Sequence, residues 1–418
     1  MTAEPGTVVT GTRTWTPRVA VQLTVLASAA FIYVTAELFP VGALSAMTKD
    51  LGVDDFWVGT LVSSYALVAM LTTVPLVRWT AHWPRRRALL VSLACLTTSQ
   101  LISALAPNLA VLVGGRVLCA VTHGLLLSVI APMATRLVPP SHAGRATMSI
   151  YIGTSLTLVV GSPLTAALSL IGSWRMAVAC ITAAAAAVAV AARLLLPEMA
   201  LSDDQLRHVG RRSTHHRNRE LILISLITMV GVTGHFVSYT YIERIIHEVV
   251  GVNGPNVAWV LAAYGTAGML ALVVVARPLD RRPKGAIISC MAGLTTAFAL
   301  LGAIAPEGRH SAVTASVMAT CAIVLWGAMA TPLPPMLQAA AMRHGADDPD
   351  GASGMYVTAF QVGIMGGPLA GGLLLERGGV AMMLTASAAL MGAALLAMTG
   401  IRRIVDAPGQ AAAGRSRA

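Results

Sequence analysis

Five ionisable residues inside long apolar runs of this sequence are candidates for chemistry, because a charged group is expensive to keep there. They are Glu37, Arg116, His123, His235 and Glu243. A charge at the centre of a bilayer costs roughly 2.5–3.5 kcal/mol on insertion scales, so such residues usually have a function. Carboxylates and imidazoles take up and release protons, and an arginine stabilises a nearby carboxylate in its charged form. The set therefore predicts proton exchange within an apolar environment.

The spacing of three of these residues suggests that they share one site. Glu37 lies about 13 Å before the outer end of its predicted helix, and Arg116 about 10 Å after the outer start of another. His123 follows Arg116 by seven residues, close to two helical turns, so both face the same way. We expect Glu37, Arg116 and His123 to couple proton binding to a transport step, because burial and a neighbouring arginine act oppositely on a carboxylate's proton affinity. The alternative is a static buried pair and a histidine that only bridges helices.

A second group of polar and aromatic residues lies in the other half of the chain. His235, Tyr239 and Glu243 are spaced by four, which predicts one stripe on a helix. Together with Trp326 and Gln361 they could bind a hydroxylated ligand, because rings cover its apolar face while polar groups meet its hydroxyls. Tyrosine and tryptophan near the ends of spans also serve as interfacial anchors, which is the alternative for these residues.

The composition places all these residues in a membrane protein. Of 418 residues, 56% are apolar and only 11% are charged, whereas soluble domains carry about 25% charged residues. The net charge of +11 fits an anionic lipid surface rather than a nucleic-acid partner. Motifs typical of nucleotide binding, metalloproteases and hydrolases are not found, so we expect neither enzymatic activity nor a cofactor or metal.

Apolar runs long enough to cross a bilayer occur twelve times in the sequence. They cover about 19–46, 57–77, 88–106, 109–134, 146–170, 175–197, 221–246, 257–276, 285–305, 311–334, 352–375 and 380–401. With the N-terminus inside, 23 of the 29 Lys and Arg residues fall in the inner segments, as cytoplasmic loops require. The sequence thus predicts an all-α, multi-pass protein of the inner or plasma membrane, monomeric, with both termini in the cytoplasm.

The spans divide into two similar halves. We predict a cytoplasmic tail at 1–18, a six-helix bundle at 19–197, a cytoplasmic linker at 198–220, a second six-helix bundle at 221–402 and a tail at 403–418. The halves repeat a pattern in which a tyrosine precedes a proline by twelve residues, Tyr151 to Pro163 and Tyr356 to Pro368. Such parallel repeats are typical of one class of secondary transporter, whose substrate site lies between the halves.

These features resemble the major facilitator superfamily across essentially the whole chain. The segment GIMGGPLAGG, residues 363–372, fits the antiporter motif GxxxGPxxGG, although in the eleventh span rather than the fifth. Four segments are similar to bacterial sugar efflux transporters of the arabinose/thiogalactoside exporter type: TAELFPVGALSAMTKDLGV (35–53), GRVLCAVTHGLLLSVIAPMATRLVP (115–139), GSWRMA (172–177) and VTGHFVSYTYIE (232–243). That group is related to nucleoside and chloramphenicol exporters.

The resemblance implies a gating role for two sets of residues. The superfamily's loop motif GxxxDRxGRR is represented by Arg85, Arg86 and Arg87 in the first half, where its aspartate is replaced by Ala81. The second half retains an Asp-Arg pair, and the antiporter motif contributes small residues and a helix-bending proline; these implied gating residues are Asp280, Arg281, Gly363, Gly367 and Pro368.

The sequence therefore predicts an exporter that exchanges protons for a small polar solute by alternating access of two pseudo-symmetric bundles. The resemblance makes a sugar or sugar-like compound the first expectation. An antibiotic or natural-product exporter conferring resistance is the alternative, and a facilitative importer or a non-transporting receptor or scaffold would fit the same composition. The expected partners are the solute, protons and lipid, and no nucleic acid.

Overall fold

The computed structural model describes residues 16–53, 55–199, 218–252, 256–305, 313–345 and 348–401. The predicted tail at 403–418 lies outside the described residues, as do most of the predicted tail at 1–18 and of the predicted linker at 198–220. Nearly all described residues are helical.

The first half contains eight α-helices. They are α1 Pro17–Gly42, α2 Leu44–Leu51, α3 Asp55–Trp79, α4 Arg85–Ala104, α5 Leu109–Arg136, α6 Ala143–Leu156, α7 Ser162–Ile171 and α8 Trp174–Leu195. A π-helical turn, Thr157–Gly161, joins α6 to α7. The second half contains α9 Arg219–Tyr239, α10 Ile242–Ile245, α11 Asn256–Arg281, α12 Pro283–Ile304, α13 Val313–Ala330, α14 Leu333–His344 and α15 Pro349–Gly400.

Several helix starts are fixed by side chains that accept hydrogen bonds from otherwise unpaired backbone N–H groups. Thr16 accepts from Val19 N at the start of α1, and Asn108 accepts from the backbone at the start of α5. Ser173 and Asn218 do the same for α8 and α9. Short polar residues between apolar runs therefore set where the helices begin.

The twelve predicted crossings are confirmed. Nine helices among the described residues are long and apolar enough to span a membrane. One of them, α15, is 52 residues long and reverses at Gly378 and Gly379, where a φ of +67° at Gly379 favours glycine, so it supplies two crossings. The 25-residue α3 and the chain of α6, the π-turn and α7 supply the other two.

Two predicted spans differ from the structure in continuity. The fifth, expected as one helix over 146–170, contains the π-turn, in which Thr157 Oγ1 donates to Phe31 O of α1 at 3.0 Å. The seventh, expected over 221–246, ends as a regular helix at Tyr239. Tyr241 N then bonds to Ser238 O, a tighter turn than an α-helix allows.

Glycines hold equivalent helix pairs close together in the two halves. A Cβ on Gly153 would collide with the backbone of Ala27 in α1, and one on Gly161 would meet Thr35 at 2.5 Å. In α15, a Cβ on Gly367 would lie 2.5 Å from Phe236 of α9. Gly363 and Gly371 also abut α9, at Val232 and Val237. Small residues at these spacings thus permit the close packing of α1 on α6 and of α9 on α15.

Each half has its own apolar core, and the halves meet along several helices. From the first half, α3 and α5 pack against α15, and α6 packs against α11. Gln338 of α14 donates to Leu127 O of α5 at 3.2 Å. We call the end of the bundle formed by Arg85, Leu195, Arg219 and Asp350 the basic face. The two halves are in contact at this face.

Candidate functional site: a buried Glu37–His123 pair and an aromatic cluster

The structure places Glu37 beside His123 in the interior of the first half. The carboxylate oxygen Oε2 of Glu37 lies 3.8 Å from Nε2 of His123, and their side chains are 14% and 2% exposed. Glu37 comes from α1 and His123 from α5. Glu37 and His123 are therefore two proton-binding groups in contact, and the side chain of Glu37 is the more exposed of the two.

Arg116 meets Glu37 as predicted, but through the backbone rather than the carboxylate. Its guanidinium donates to Ala36 O at 3.1 Å and to Glu37 O at 2.8 Å. The reason is Pro40, which lies inside α1 and has no N–H to give to the carbonyl four residues earlier, that of Ala36. Arg116 supplies the missing donor, so it positions the turn of α1 that carries Glu37.

Two tyrosines complete the environment of His123, and the sequence analysis missed both. Tyr65 Oη lies 3.0 Å from Nδ1 of His123, and its ring stands edge-on to the imidazole at 5.4 Å. The ring of Tyr33 is also edge-on to the imidazole, with ring centres 5.5 Å apart, and its hydroxyl donates to Cys119 O. Tyr33 lies one helical turn before Glu37, and that spacing was the available signal. When Tyr65 donates to Nδ1, the proton of neutral His123 is on Nε2, facing Glu37.

The predicted second group is brought together only in part. Trp326 Nε1 donates to His235 Nδ1 at 3.1 Å, and the ring of His235 stacks on Tyr239 at 5.0 Å. Tyr264 and Phe298, which the sequence analysis did not select, pack against Trp326 at 5.8 and 4.8 Å. We call these five residues the aromatic cluster. Trp326 is fully buried while His235 and Tyr239 are half-buried, so the latter two rings present the accessible surface.

The two remaining members of the predicted set, Glu243 and Gln361, are not placed in this cluster. The regular helix that carries His235 and Tyr239 ends at Tyr239, so it does not continue unbroken to Glu243. The side chain of Glu243 lies outside the described part of the structure. Gln361 is buried in α15, and its Nε2 has no hydrogen-bond partner among the described residues.

Arg85 takes part in a buried ion pair that joins the two halves at the basic face. It pairs with Asp350 at the start of α15, and both side chains are 3% exposed. Arg136 of α5 approaches the same carboxylate oxygen at 3.4 Å. Asp350 and Arg136 were not predicted as site residues, because both fall in segments that read as breaks between spans. In the same part of the structure, a Cβ on Gly354 of α15 would lie 3.3 Å from the side chain of Val77 of α3.

The other residues implied in gating have different surroundings. Arg86 donates to Leu196 O at 2.9 Å and approaches Glu198. Arg87 lies over the ring of Trp83. Arg281 is exposed, and the side chain of Asp280 is outside the described part of the structure. Pro368 accepts a hydrogen bond at its carbonyl from Tyr241 Oη at 3.0 Å.

Two relatives of this chain are named for the export of different solutes. The chain is 70% identical to a protein named chloramphenicol efflux pump from Mycobacterium tuberculosis strain H37Rv, over 98% of each chain. A protein named probable sugar efflux transporter from Mannheimia succiniciproducens is 28% identical, over 85% of this chain and 87% of that protein.

The expectation of a sugar as the exported solute was therefore wrong, since the much more similar relative carries the name of an antibiotic pump. Two of the segments that suggested a sugar exporter, 35–53 and 115–139, build parts of α1 and α5 around Glu37, Arg116 and His123. These segments supply helix packing and the buried ionisable group, which exporters of different solutes can share. They carry little information about the solute.

Solved structures agree on the fold. The chain superimposes on a Major Facilitator Superfamily transporter, FucP, in the outward conformation, with a TM-score of 0.72 at 15% identity, covering 93% of this chain and 100% of that one. The proton:xylose symporter XylE gives a TM-score of 0.72 at 13% identity, covering 91% and 95%. Residues 26–348 match the sequence profile of the Major Facilitator Superfamily. With its twelve crossings in two pseudo-symmetric bundles, the chain belongs to the Major Facilitator Superfamily.

Proposed function

We propose that this protein exports chloramphenicol or closely related antibiotics across the plasma membrane in exchange for protons. The observation that carries the proposal is the 70% identity, over 98% of both chains, to a protein named for chloramphenicol efflux. We further propose that the protein acts as a monomer, and that its basic face and both termini lie in the cytoplasm, where the Lys and Arg excess belongs.

Glu37 and His123 are proposed as the proton-exchange group. Their contact at 3.8 Å allows one proton to be held by the carboxylate or by the imidazole. Water reaching the pair from one face of the membrane sets its protonation by the pH of that face. Arg116 keeps the carboxylate in place by holding the Ala36 and Glu37 carbonyls.

The aromatic cluster is proposed as the surface that contacts the drug. Chloramphenicol carries a nitrophenyl ring together with hydroxyl and amide groups, so it needs both ring contacts and hydrogen-bond partners. His235 and Tyr239 offer half-buried rings, and Trp326 holds His235 in place from behind. Aromatic pairs add about 0.5–1.5 kcal/mol beyond the area they bury.

Exchange requires the protein to alternate between a closed and an open basic face. Forming and breaking the ion pairs at that face allows this alternation. While Asp350 pairs with Arg85 and Arg136, α15 is tied to the first half and that face is closed. Rocking of the bundles must separate these charges and expose them to water, where each is solvated. A transporter of this kind exposes its central sites to one face at a time.

The experiment that tests the proposal is chloramphenicol accumulation in inverted membrane vesicles with an imposed pH gradient, acid inside. We expect accumulation by the wild-type protein that collapses when the gradient is dissipated, and no gradient-driven accumulation with Glu37→Gln. The matched control is Glu376→Gln, since Glu376 is exposed at the end of the same span as Pro368. Accumulation that ignores the gradient, or is equally strong with Glu37→Gln, would contradict the proposal.

A further inference from the structure

A basic groove lies on the outside of the first half, at the basic face, away from the proton-exchange group. It has a volume of about 380 Å³ and runs between the start of α4 and the end of α8. Its lining combines three arginines, one glutamate and apolar side chains: Pro84, Arg86, Arg87, Leu90, Val91, Ala94, Arg193 and Glu198.

The arginines of this groove are not equally available. Arg86 is engaged with Leu196 O and with the carboxylate of Glu198. Arg87 is exposed, and its guanidinium lies 4.6 Å from the centre of the Trp83 ring, with no side-chain hydrogen bond or ion pair among the described residues. Arg193 is exposed and likewise has no such partner among the described residues. Within the part of the chain that the structure describes, the groove therefore contains two guanidinium groups whose donors are unpaired, while Glu198 is paired with Arg86.

The apolar part of the groove continues along the membrane-facing side of α4. Arg87, Val91 and Ala94 are all exposed and spaced by one turn, so they form a single stripe. On α8, Leu194 next to Arg193 is 75% exposed. Apolar side chains this exposed on a membrane-spanning helix face hydrocarbon, so the groove has charged donors at the level of headgroups and an apolar floor below them.

We propose that this groove binds an anionic phospholipid, with the phosphodiester between Arg87 and Arg193 and an acyl chain along Val91 and Ala94. Guanidinium groups bind phosphate oxygens through paired hydrogen bonds. Basic pockets between helices at the inner leaflet are typical sites for anionic headgroups. The aromatic ring of Trp83 holds Arg87 at the membrane interface.

Native mass spectrometry of the purified full-length protein tests the proposal by titration with phosphatidylglycerol. We expect Arg87→Gln/Arg193→Gln to weaken the tightest binding about 25-fold, since each such residue contributes about a factor of five near an anionic surface. The matched control, Arg281→Gln/Arg282→Gln, removes two exposed charges from a corresponding loop of the second half and should change the affinity less than about twofold.

Two further measurements identify the ligand. Ala94→Trp fills the apolar floor without changing charge, and should weaken phosphatidylglycerol binding. Arg87→Lys/Arg193→Lys keeps the two charges but not the paired hydrogen bonds, so it should weaken binding less than Arg87→Gln/Arg193→Gln. Phosphatidylcholine and glycerol phosphate should bind much more weakly than phosphatidylglycerol. An unchanged affinity in the Arg87→Gln/Arg193→Gln protein, an equal loss in the control, or equally tight binding of either of those two ligands would overturn the proposal.

Discussion

At the scale of residues, His123 is held by contacts on several sides, and its orientation depends on Tyr65. We predict that Tyr65→Phe keeps the protein folded, because the ring still packs against the imidazole, but slows gradient-driven drug export. Without the phenol hydroxyl, the proton of the neutral imidazole can be on either nitrogen, so Nε2 no longer consistently presents a proton to Glu37. The measurement is export rate against lumen pH in vesicles. An unaltered rate at every pH would show that the hydrogen bond has no part in coupling.

The aromatic cluster gives a prediction about drug affinity. Trp326→Ala removes the ring behind His235 and its hydrogen bond, and should raise the KM for chloramphenicol about threefold to tenfold. Trp326→Phe retains the ring but not the N–H, so its effect should be smaller. The control is Trp259→Ala, because Trp259 is 76% exposed on α11. A KM shift in the control as large as in Trp326→Ala would argue against a specific contribution from the cluster.

Asp50, in α2 outside the membrane-spanning segments, gives a prediction about pH and stability. Hydrogen bonds from Trp174 and Arg175 lower the pKa of Asp50 below its ordinary value of 3.8. A lowered pKa means that the charged form stabilises the fold at neutral pH, and that this contribution disappears as the pH falls below 3.8 through the lowered pKa. Asp50→Asn should therefore lower the Tm at neutral pH, with a difference from wild type that shrinks in acid. A difference that is constant with pH would rule out this linkage.

At the scale of helices, Arg116 donates to the Ala36 carbonyl, which Pro40 leaves without its usual backbone donor. The dependence of this hydrogen bond on Pro40 can be measured as a coupling free energy. Arg116→Gln should lower the free energy of unfolding by about 1–3 kcal/mol, because the Ala36 carbonyl loses its donor. In a Pro40→Ala background the backbone N–H returns, so the same substitution should cost about 1 kcal/mol less. The control background is Pro75→Ala, a proline inside α3. Equal effects of Arg116→Gln in all three backgrounds would show that Pro40 is not the reason for the contact.

The attachment of α15 to the first half gives a prediction about conformation. Asp350→Asn leaves Arg85 buried without a counter-charge, and an unpaired buried charge costs about 3–5 kcal/mol. The closed basic face should therefore open, lengthening the distance between spin labels at positions 78 and 282 in a protein without its native cysteines. Glu198→Gln disrupts an exposed pair at the same face and should not change the distance. An unchanged distance in Asp350→Asn would show that the ion pair does not hold this face closed.

At the scale of the whole molecule, the sequence predicted those features of the fold that a lipid bilayer requires. Apolar runs and the placement of Lys and Arg predicted the twelve crossings, because hydrocarbon admits few alternatives to apolar helices. The estimated depths of Glu37 and Arg116 along their helices were enough to predict that Glu37 meets the helix that carries Arg116. By contrast, Asp350 was missed because its partners Arg85 and Arg136 are more than 200 residues away in sequence. The solute could not be read from packing motifs, since these serve helix approach rather than recognition.

In the proposed mechanism, drug movement is coupled to proton movement through Glu37 and His123. The most direct test uses purified protein in liposomes that enclose a pH-sensitive dye, with no initial pH gradient and chloramphenicol added outside. We predict that inward drug movement expels protons, so that the lumen becomes alkaline with wild-type protein and not with Glu37→Gln. Drug entry that leaves the lumen pH unchanged in wild-type liposomes would contradict the account.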